Sequence, residues 1–259
     1  MMRAGTGLGD RYVLVDVIGR GSLGEVWRAH DTTLDRVVAV RFFPASLSDP
    51  DFMRRVRARA QVIAELDDPT IVGVYDYGDA DGIAYLVMQF VEGESLPTLL
   101  RRVGPLAPPE AMNLIAQAAR ALHAAHHIGI LHADLKTSDL LVRPDGRLLV
   151  SDFGIAPIMS GEPMTDVVVG CAPYIAPEDV VGSGPTPSAD IYALGVVAYE
   201  CLTLAHPFAG DDPPPPLPPG IPKAVRDVVM RALDRDPRSR WLSAEAMAAA
   251  AAAAIGRPG

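Results

Sequence analysis

Four short stretches carry residue types that could handle phosphate and a divalent cation. Gly19-Arg20-Gly21-Ser22-Leu23-Gly24-Glu25-Val26 has the G-x-G-x-x-G-x-V spacing of a loop whose backbone can close over phosphates. His132-Ala133-Asp134 is followed at once by Lys136 and Asp139, two carboxylates and an ammonium in one short loop. Asp152-Phe153-Gly154 adds a further carboxylate, and Ala176-Pro177-Glu178 ends the series. A lone G-x-G-x-x-G is a weak signal. All of these in this order, at these separations, are specific. A carboxylate such as Asp139 can bind Mg²⁺. Cations are less evenly supplied: of 23 basic residues only Lys136 and Lys223 are lysine.

Those residues need a scaffold, and the chain is long enough to build one. It has 259 residues, 49% hydrophobic and 21% charged, which is globular and argues against disorder. A net charge of −9 gives no reason to expect nucleic acid or an anionic membrane as partner. Cys171 and Cys201 make no disulfide framework, which suits a reducing, cytoplasmic setting. No apolar run reaches the roughly 18 residues of a membrane span, and residues 1–7 lack the apolar region of a signal peptide.

Period-2 patterning predicts strands at 12–18, 25–29, 37–42, 71–75 and 83–88, with the glycine loop as a hairpin between the first two. Helical spacing runs from Pro50 to Leu66, with Asp49 or Asp51 as the start signal. Residues 1–9 read as a flexible leader. After Gly93 the pattern turns helical: 108–127, 189–203, 223–233 and 243–254. Leu140–Val142 and Leu148–Val150 flank a Pro144-Asp145-Gly146 turn and read as a second hairpin. The alanine run at 248–254 reads as a high-propensity closing helix, and the prolines at 213–219 as a stiff connector.

Over residues 10–255 the chain resembles the eukaryotic-like Ser/Thr protein kinases of bacteria, especially actinobacterial ones. The motifs above carry the resemblance, with Leu122–His132 and Asp236-Pro237-Arg238-Ser239-Arg240-Trp241. It implies an α+β, bilobal protein-kinase fold. The small lobe, 10–90, would have a five-stranded antiparallel sheet plus one helix, and the large lobe, 91–255, would be mainly helical. It also implies ATP and Mg²⁺ as cofactors, and the template assigns roles residue by residue. Gly19, Gly21 and Gly24 would cover the phosphates. Val26, Ala39 and Leu141 would sandwich the adenine, with Met88 as gatekeeper and Gln89 and Val91 in the hinge. Asp134 would be the catalytic base, Lys136 would contact the γ-phosphate, and Asp152 and Asp139 would hold metal. Ile63, Val74, Phe153 and His132 would form an apolar column, and Glu178 and Arg240 a buried ion pair.

The departures from that family pattern fall on the chemistry. Arg41 replaces the strand lysine; its fork is longer and bulkier than an ammonium, and a misplacement of about 1 Å can cost on the order of 10²-fold in rate. No lysine precedes Lys136 to take over its task. Arg59 falls where the partner glutamate of the small-lobe helix should stand, so two guanidiniums replace an ion pair. We expect that helix to be displaced, Arg59 to turn toward solvent, or an anion to bridge the two. Asp139 replaces the metal-binding asparagine, and Ala133 removes the arginine that reads loop phosphorylation in relatives. Cys171 replaces a threonine that touches the catalytic loop. The docking helix, αG, is expected to be missing, because residues 209–219 are short and proline-rich. Together these changes predict a pseudokinase that binds ATP or ADP weakly, with Mg²⁺ helping, and signals through an unidentified protein partner. The alternatives are a weakly active transferase, moving the ATP γ-phosphate to protein hydroxyls, and a nucleotide-free interaction module.

Overall fold

The computed structural model describes residues 2–21, 24–44, 50–155, 174–180, 184–208 and 214–256. They form two compact units, Met1–Asp67 with Val72–Val91, and Asp68–Ile71 with Glu92–Gly259.

In the N-terminal unit the valine-rich alternating runs pair as one antiparallel sheet. Its strands are β1 (Gly7–Leu8), β2 (Tyr12–Gly21), β3 (Gly24–Asp31), β4 (Arg36–Phe42), β5 (Val74–Ala80) and β6 (Ile83–Gln89), in the order β1-β2-β3-β4-β6-β5. The added sixth strand comes from the expected flexible leader. Gly7 and Leu8 pair with Val13 and Tyr12, and Leu8 is buried beneath them. Side chains alternate across a strand. Val38, Val40 and Phe42 therefore share one face, where they pack with Leu14, Trp27 and Val87 in a dry core. Burial of one such side chain contributes about 1.5–3 kcal/mol. The helix α1 (Pro50–Ile63) buries Phe52, Val56, Ala60 and Ile63, and ends earlier than Leu66.

The edge of this sheet is fastened by charge. Asp31 is fully buried and accepts from Arg11 Nε at 2.9 Å and Nη2 at 2.8 Å. Those hydrogen bonds from Arg11 hold the Asp31 carboxyl well below the usual carboxylate range. Arg11 also reaches Asp76 on β5 at 3.3 Å, and the Tyr12 hydroxyl donates to the same carboxylate at 2.8 Å.

The C-terminal unit is helical around a small sheet. β7 (Glu94–Ser95), β8 (Leu140–Val142) and β9 (Leu148–Val150) pair antiparallel in that order. The helices are α2 (Leu96–Val103), α3 (Pro108–His127), α4 (Pro177–Val180), α5 (Pro187–Thr203), α6 (Lys223–Ala232) and α7 (Ala244–Ile255). Alanines on α3 and α7, among them Ala118, Ala125, Ala248 and Ala251, are buried and let these helices approach closely. The alanine run is thus a packed closing helix, started by Ser243, whose hydroxyl accepts from Ala246 N at 3.1 Å. The helix α5 is buried on nearly every side and is capped by Thr186. Ile71 does not join β5; it bridges Val150 of this unit in parallel. Among the described residues between α5 and α6 there is no helix.

Candidate functional site

In the N-terminal unit, strand register decides which side chains share a face. Val26 lies opposite Arg41, and Arg41 opposite Leu86. Ala39 lies opposite Met88. Directly opposed residues project the same way. Val26, Ala39, Arg41 and Met88 therefore line one face of the sheet, the face away from the Trp27 core. Tyr77 also faces Leu86 across the sheet, and the Arg57 guanidinium sits 6.0 Å above the Tyr77 ring. That places α1 over the face that carries Arg41. Gln89 is fastened to Gly73, donating its backbone N–H at 2.8 Å and accepting through Oε1 at 3.4 Å. Val91 follows, half-buried.

The glycine loop is the β2–β3 hairpin, with Gly19 opposite Val26 and Gly21 opposite Gly24. Gly24 has φ +102, and a Cβ there would lie 1.9 Å from the Phe42 carbonyl oxygen. Only glycine fits. Ser22 and Leu23 lie outside the described residues.

Arg41 is buried, 9% exposed. Arg59 is half-buried rather than turned out to water, and burial pushes its guanidinium pKa down. Its neighbours at i−3 and i+4 on α1 are Val56 and Ile63, both buried.

In the C-terminal unit, one carboxylate organises the loop that carries Asp134. Asp190, in the first turn of α5, is 2% exposed. It accepts from the backbone N–H groups of His132 and Ala133, both at 2.9 Å, and lies 2.7 Å from His126 Nε2. Ala133 has φ +67, a left-handed conformation costly for a residue with a Cβ. The Asp190 acceptors hold it there. His132 packs against Phe153 with tilted rings, centroids 4.9 Å apart, and its Nε2 lies 2.9 Å from the Ser151 carbonyl oxygen. Facing a carbonyl, Nε2 carries the proton. Burial lowers the His132 pKa, so the ring is neutral.

Asp134 and Lys136 pair directly through their side chains. Lys136 Nζ is also 3.9 Å from Asp139. Asp139 is 2% exposed, accepts from Lys136 N at 3.2 Å and from the Ser138 hydroxyl at 3.1 Å, and receives Ser151 N on its carbonyl at 2.8 Å. Its side chain anchors the loop through acceptors alone, without an amide donor. Burial first, and then the charge of Asp152, push the Asp139 carboxyl well above the usual range, while Lys136 opposes them. An acidic neighbour that raises Asp139 in this way suits a divalent cation nearby. Among the described residues no three His, Cys, Asp or Glu side chains form a metal cage. Mg²⁺ takes one or two carboxylates and completes its shell with water and phosphate, and Asp139 and Asp152 are the candidates to hold it. Asp152 has φ +66, so it too sits on a constrained backbone. Leu141, on β8, is half-buried between the buried Leu140 and Val142.

Glu178 and Arg240 form a bidentate pair, both contacts at 2.7 Å, with the arginine side chain fully buried. Asp190 escaped the sequence reading. Its signal was a single acid in the first turn of an apolar helix. Tyr174 escaped as well: its hydroxyl donates to Glu200 at 2.7 Å and lies 3.3 Å from Thr137 of the Asp134 loop. Cys171 and residues 209–213 lie outside the described residues.

Fold and site together define the class. The chain belongs to the protein kinase family; the model for the protein kinase domain matches residues 12–250. It is 40% identical to the serine/threonine-protein kinase PknA of Mycobacterium tuberculosis over 270 residues, 97% of this chain and 63% of that protein. It is 39% identical to PknE of Mycobacterium bovis, over 98% of this chain and 47% of that one. The chain thus spans less than two thirds of these relatives. The crystal structure of the M. tuberculosis PknI kinase domain superposes with a TM-score of 0.80 at 28% identity, covering 99% of this chain and 100% of that one. The protein has the protein-kinase fold, with a sheet-rich N-lobe and a helical C-lobe.

Proposed function

We propose that this Ser/Thr-kinase domain binds ATP or ADP but transfers the γ-phosphate very slowly or not at all, and acts through contacts with a protein partner in the cytoplasm. One observation carries this reading. Arg41 is buried on the sheet face shared with Val26, Ala39 and Met88, beneath an α1 whose only acid is the first-turn Asp51. The family template pairs a lysine there with a glutamate, and that pair sets the phosphates for transfer. Arg41 supplies the charge on a longer, bulkier fork, and α1 contains no glutamate to set it.

The C-terminal unit supports nucleotide and metal binding. Asp152 and Asp139 would hold Mg²⁺, which would neutralise phosphate charge. Lys136 tethers the Asp134 carboxylate, and Asp190 fixes the backbone that presents it. Asp134 would accept a hydroxyl proton from a protein serine or threonine. The intact Asp134–Lys136 pair is the specific observation favouring the second reading, a weakly active kinase. The two are separated by following phosphate transfer from labelled ATP to the protein itself and to a general acceptor protein. The first reading expects no signal above that of Asp134→Asn. Nucleotide binding is checked by a thermal melt, since a ligand of the folded state raises Tm by mass action. No shift at millimolar ATP would leave only the nucleotide-free interaction module.

A further inference from the structure

We propose that a cavity beside Asp134 is a recognition pocket for the ammonium group of a lysine side chain on a partner polypeptide, with Asp179 as its counter-charge. This rests on the protein-contact part of the reading above and names the chemistry of that contact.

The space comes first. Among the described residues, the Asp134 loop, residues 174–176, α4 and the start of α5 line a cavity of about 30 Å³. A single water needs about 10–15 Å³ of such space, so the cavity has room for an ammonium and the methylene that carries it. Ala133, Ile175, Ala189 and Ala193 make much of the wall apolar. Lysine suits such a wall, because its stem is apolar and only its tip is charged. Ala133 stands where the family template has an arginine, so the wall lacks the cation found there in the template.

The charge comes second. Asp179, on α4, is half-buried, and its Oδ1 is fully buried with no hydrogen-bond partner among the described residues. The other polar groups of the wall are engaged. Asp190 serves His126, His132 and Ala133, the Tyr174 hydroxyl serves Glu200, and Asp134 pairs with Lys136. Next to Asp179, Glu178 is taken by Arg240, whose Nε is spent on the Asp234 carbonyl. A buried acceptor left unpaired is costly. Burial, and then the charges of Glu178 and Asp190, push the Asp179 carboxyl up to about 6, with Arg240 opposing. A cation at Oδ1 would relieve both the missing partner and the excess of negative charge.

The lysine has to come from another molecule. This chain has two, and Lys136 is paired with Asp134 and Lys223 with Asp227, the latter at 2.6 Å.

The test is an NMR chemical-shift titration of the whole chain, followed at the Ala133 and Ala176 amides. The probes are N-acetyl-lysinamide, its norleucine and arginine counterparts, and sodium chloride at matched ionic strength. The lysine probe should bind saturably, with the neutral norleucine probe about tenfold weaker and the bulkier arginine probe at least about threefold weaker. Lysine binding should be about tenfold tighter at pH 8 than at pH 5, since Asp179 is charged at the first and mostly protonated at the second. Asp179→Asn should weaken it about tenfold at pH 8 and abolish the pH dependence. The pH comparison uses the unaltered protein, so misfolding of the variant cannot hide the answer. Equal affinity at the two pH values overturns the pocket, as does norleucine or arginine binding as tightly as lysine. A shift that sodium chloride reproduces, no saturable shift at all, or an Asp179→Asn protein that melts normally and binds unchanged overturns it too. ATP added to the same samples reports on the nucleotide reading separately, and a shift with ATP alone leaves that reading standing.

Discussion

The surroundings of Asp134 and those of Arg41 make an instructive pair. In the C-terminal unit the Asp134 loop is tied down from several directions: Asp190 on two backbone donors, Asp139 on Lys136 and Ser138, His132 on Ser151 and Phe153. In the N-terminal unit the sheet is equally well ordered, with the Asp31–Arg11–Asp76 fastening at one edge and a dry core on one face. What differs is the chemistry of the other face, where Arg41 is buried and, on the proposed reading, Arg41 and Arg59 take the template's lysine and acid positions. Scaffold and phosphate chemistry have therefore separated. Contacts that fix backbone position are present in both units, while on the proposed reading the residues that would set phosphate geometry depart from the template in one.

The sharpest way to probe the tied-down half is to remove its organiser. Asp190→Ala strands the N–H groups of buried His132 and half-buried Ala133 and releases the left-handed Ala133. It should cost about 3–5 kcal/mol in a urea unfolding experiment. A loss under about 1 kcal/mol would mean that the loop is held elsewhere, since a stranded buried donor alone costs that much.

Next in size is repair of the altered half. The triple change Arg41→Lys, Arg59→Glu, Asp139→Asn should raise phosphate transfer by about 10²-fold, the scale of a restored near-attack geometry. Arg41→Lys alone should leave it flat, because Arg59 still offers no carboxylate. A single change that restores full activity would break the comparison, since it would place the whole defect in one residue.

Much of this was legible in the sequence. Hairpins at the glycine loop and around Pro144-Asp145-Gly146 follow from period-2 patterning and turn residues. The Glu178–Arg240 pair followed from the family resemblance. Other features depend on partners distant in the chain. Gly7–Leu8 has no strand pattern of its own and becomes β1 only because Tyr12–Val13 offers an edge. Ile71 and Val72 read as strand, but the paired strand is the more polar Val74–Ala80, and Ile71 goes to Val150. Asp190 is one acid in an apolar helix; its acceptors meet donors some sixty residues earlier, at His126, His132 and Ala133. Position in sequence could not announce that. Of the site itself, the sequence identified which residue types had changed. It did not say that Arg59 stays half-buried on its helix.

A smaller effect probes the C-terminal unit through pH. Burial, and then the charges of Glu178 and Asp190, push the Asp179 carboxyl up to about 6. The folded state therefore holds this proton more tightly than the unfolded chain. The stability it contributes is present below the ordinary carboxylate range and is lost as pH rises through about 6. Asp179→Asn should stabilise the protein at pH 8 by about 1 kcal/mol after allowance for solvent screening, and leave it unchanged at pH 4. Melting curves at the two pH values check this; equal shifts at both would remove the titration as the cause.

The central claim is that a well-positioned Asp134 is idle because the phosphate-setting face has changed. Its most direct test is phosphate transfer from Mg²⁺-ATP by the unaltered protein beside Asp134→Asn, with both shown to bind nucleotide. The account predicts the same background rate for the two. Robust transfer that disappears with Asp134→Asn would contradict it and establish a working kinase that uses Arg41.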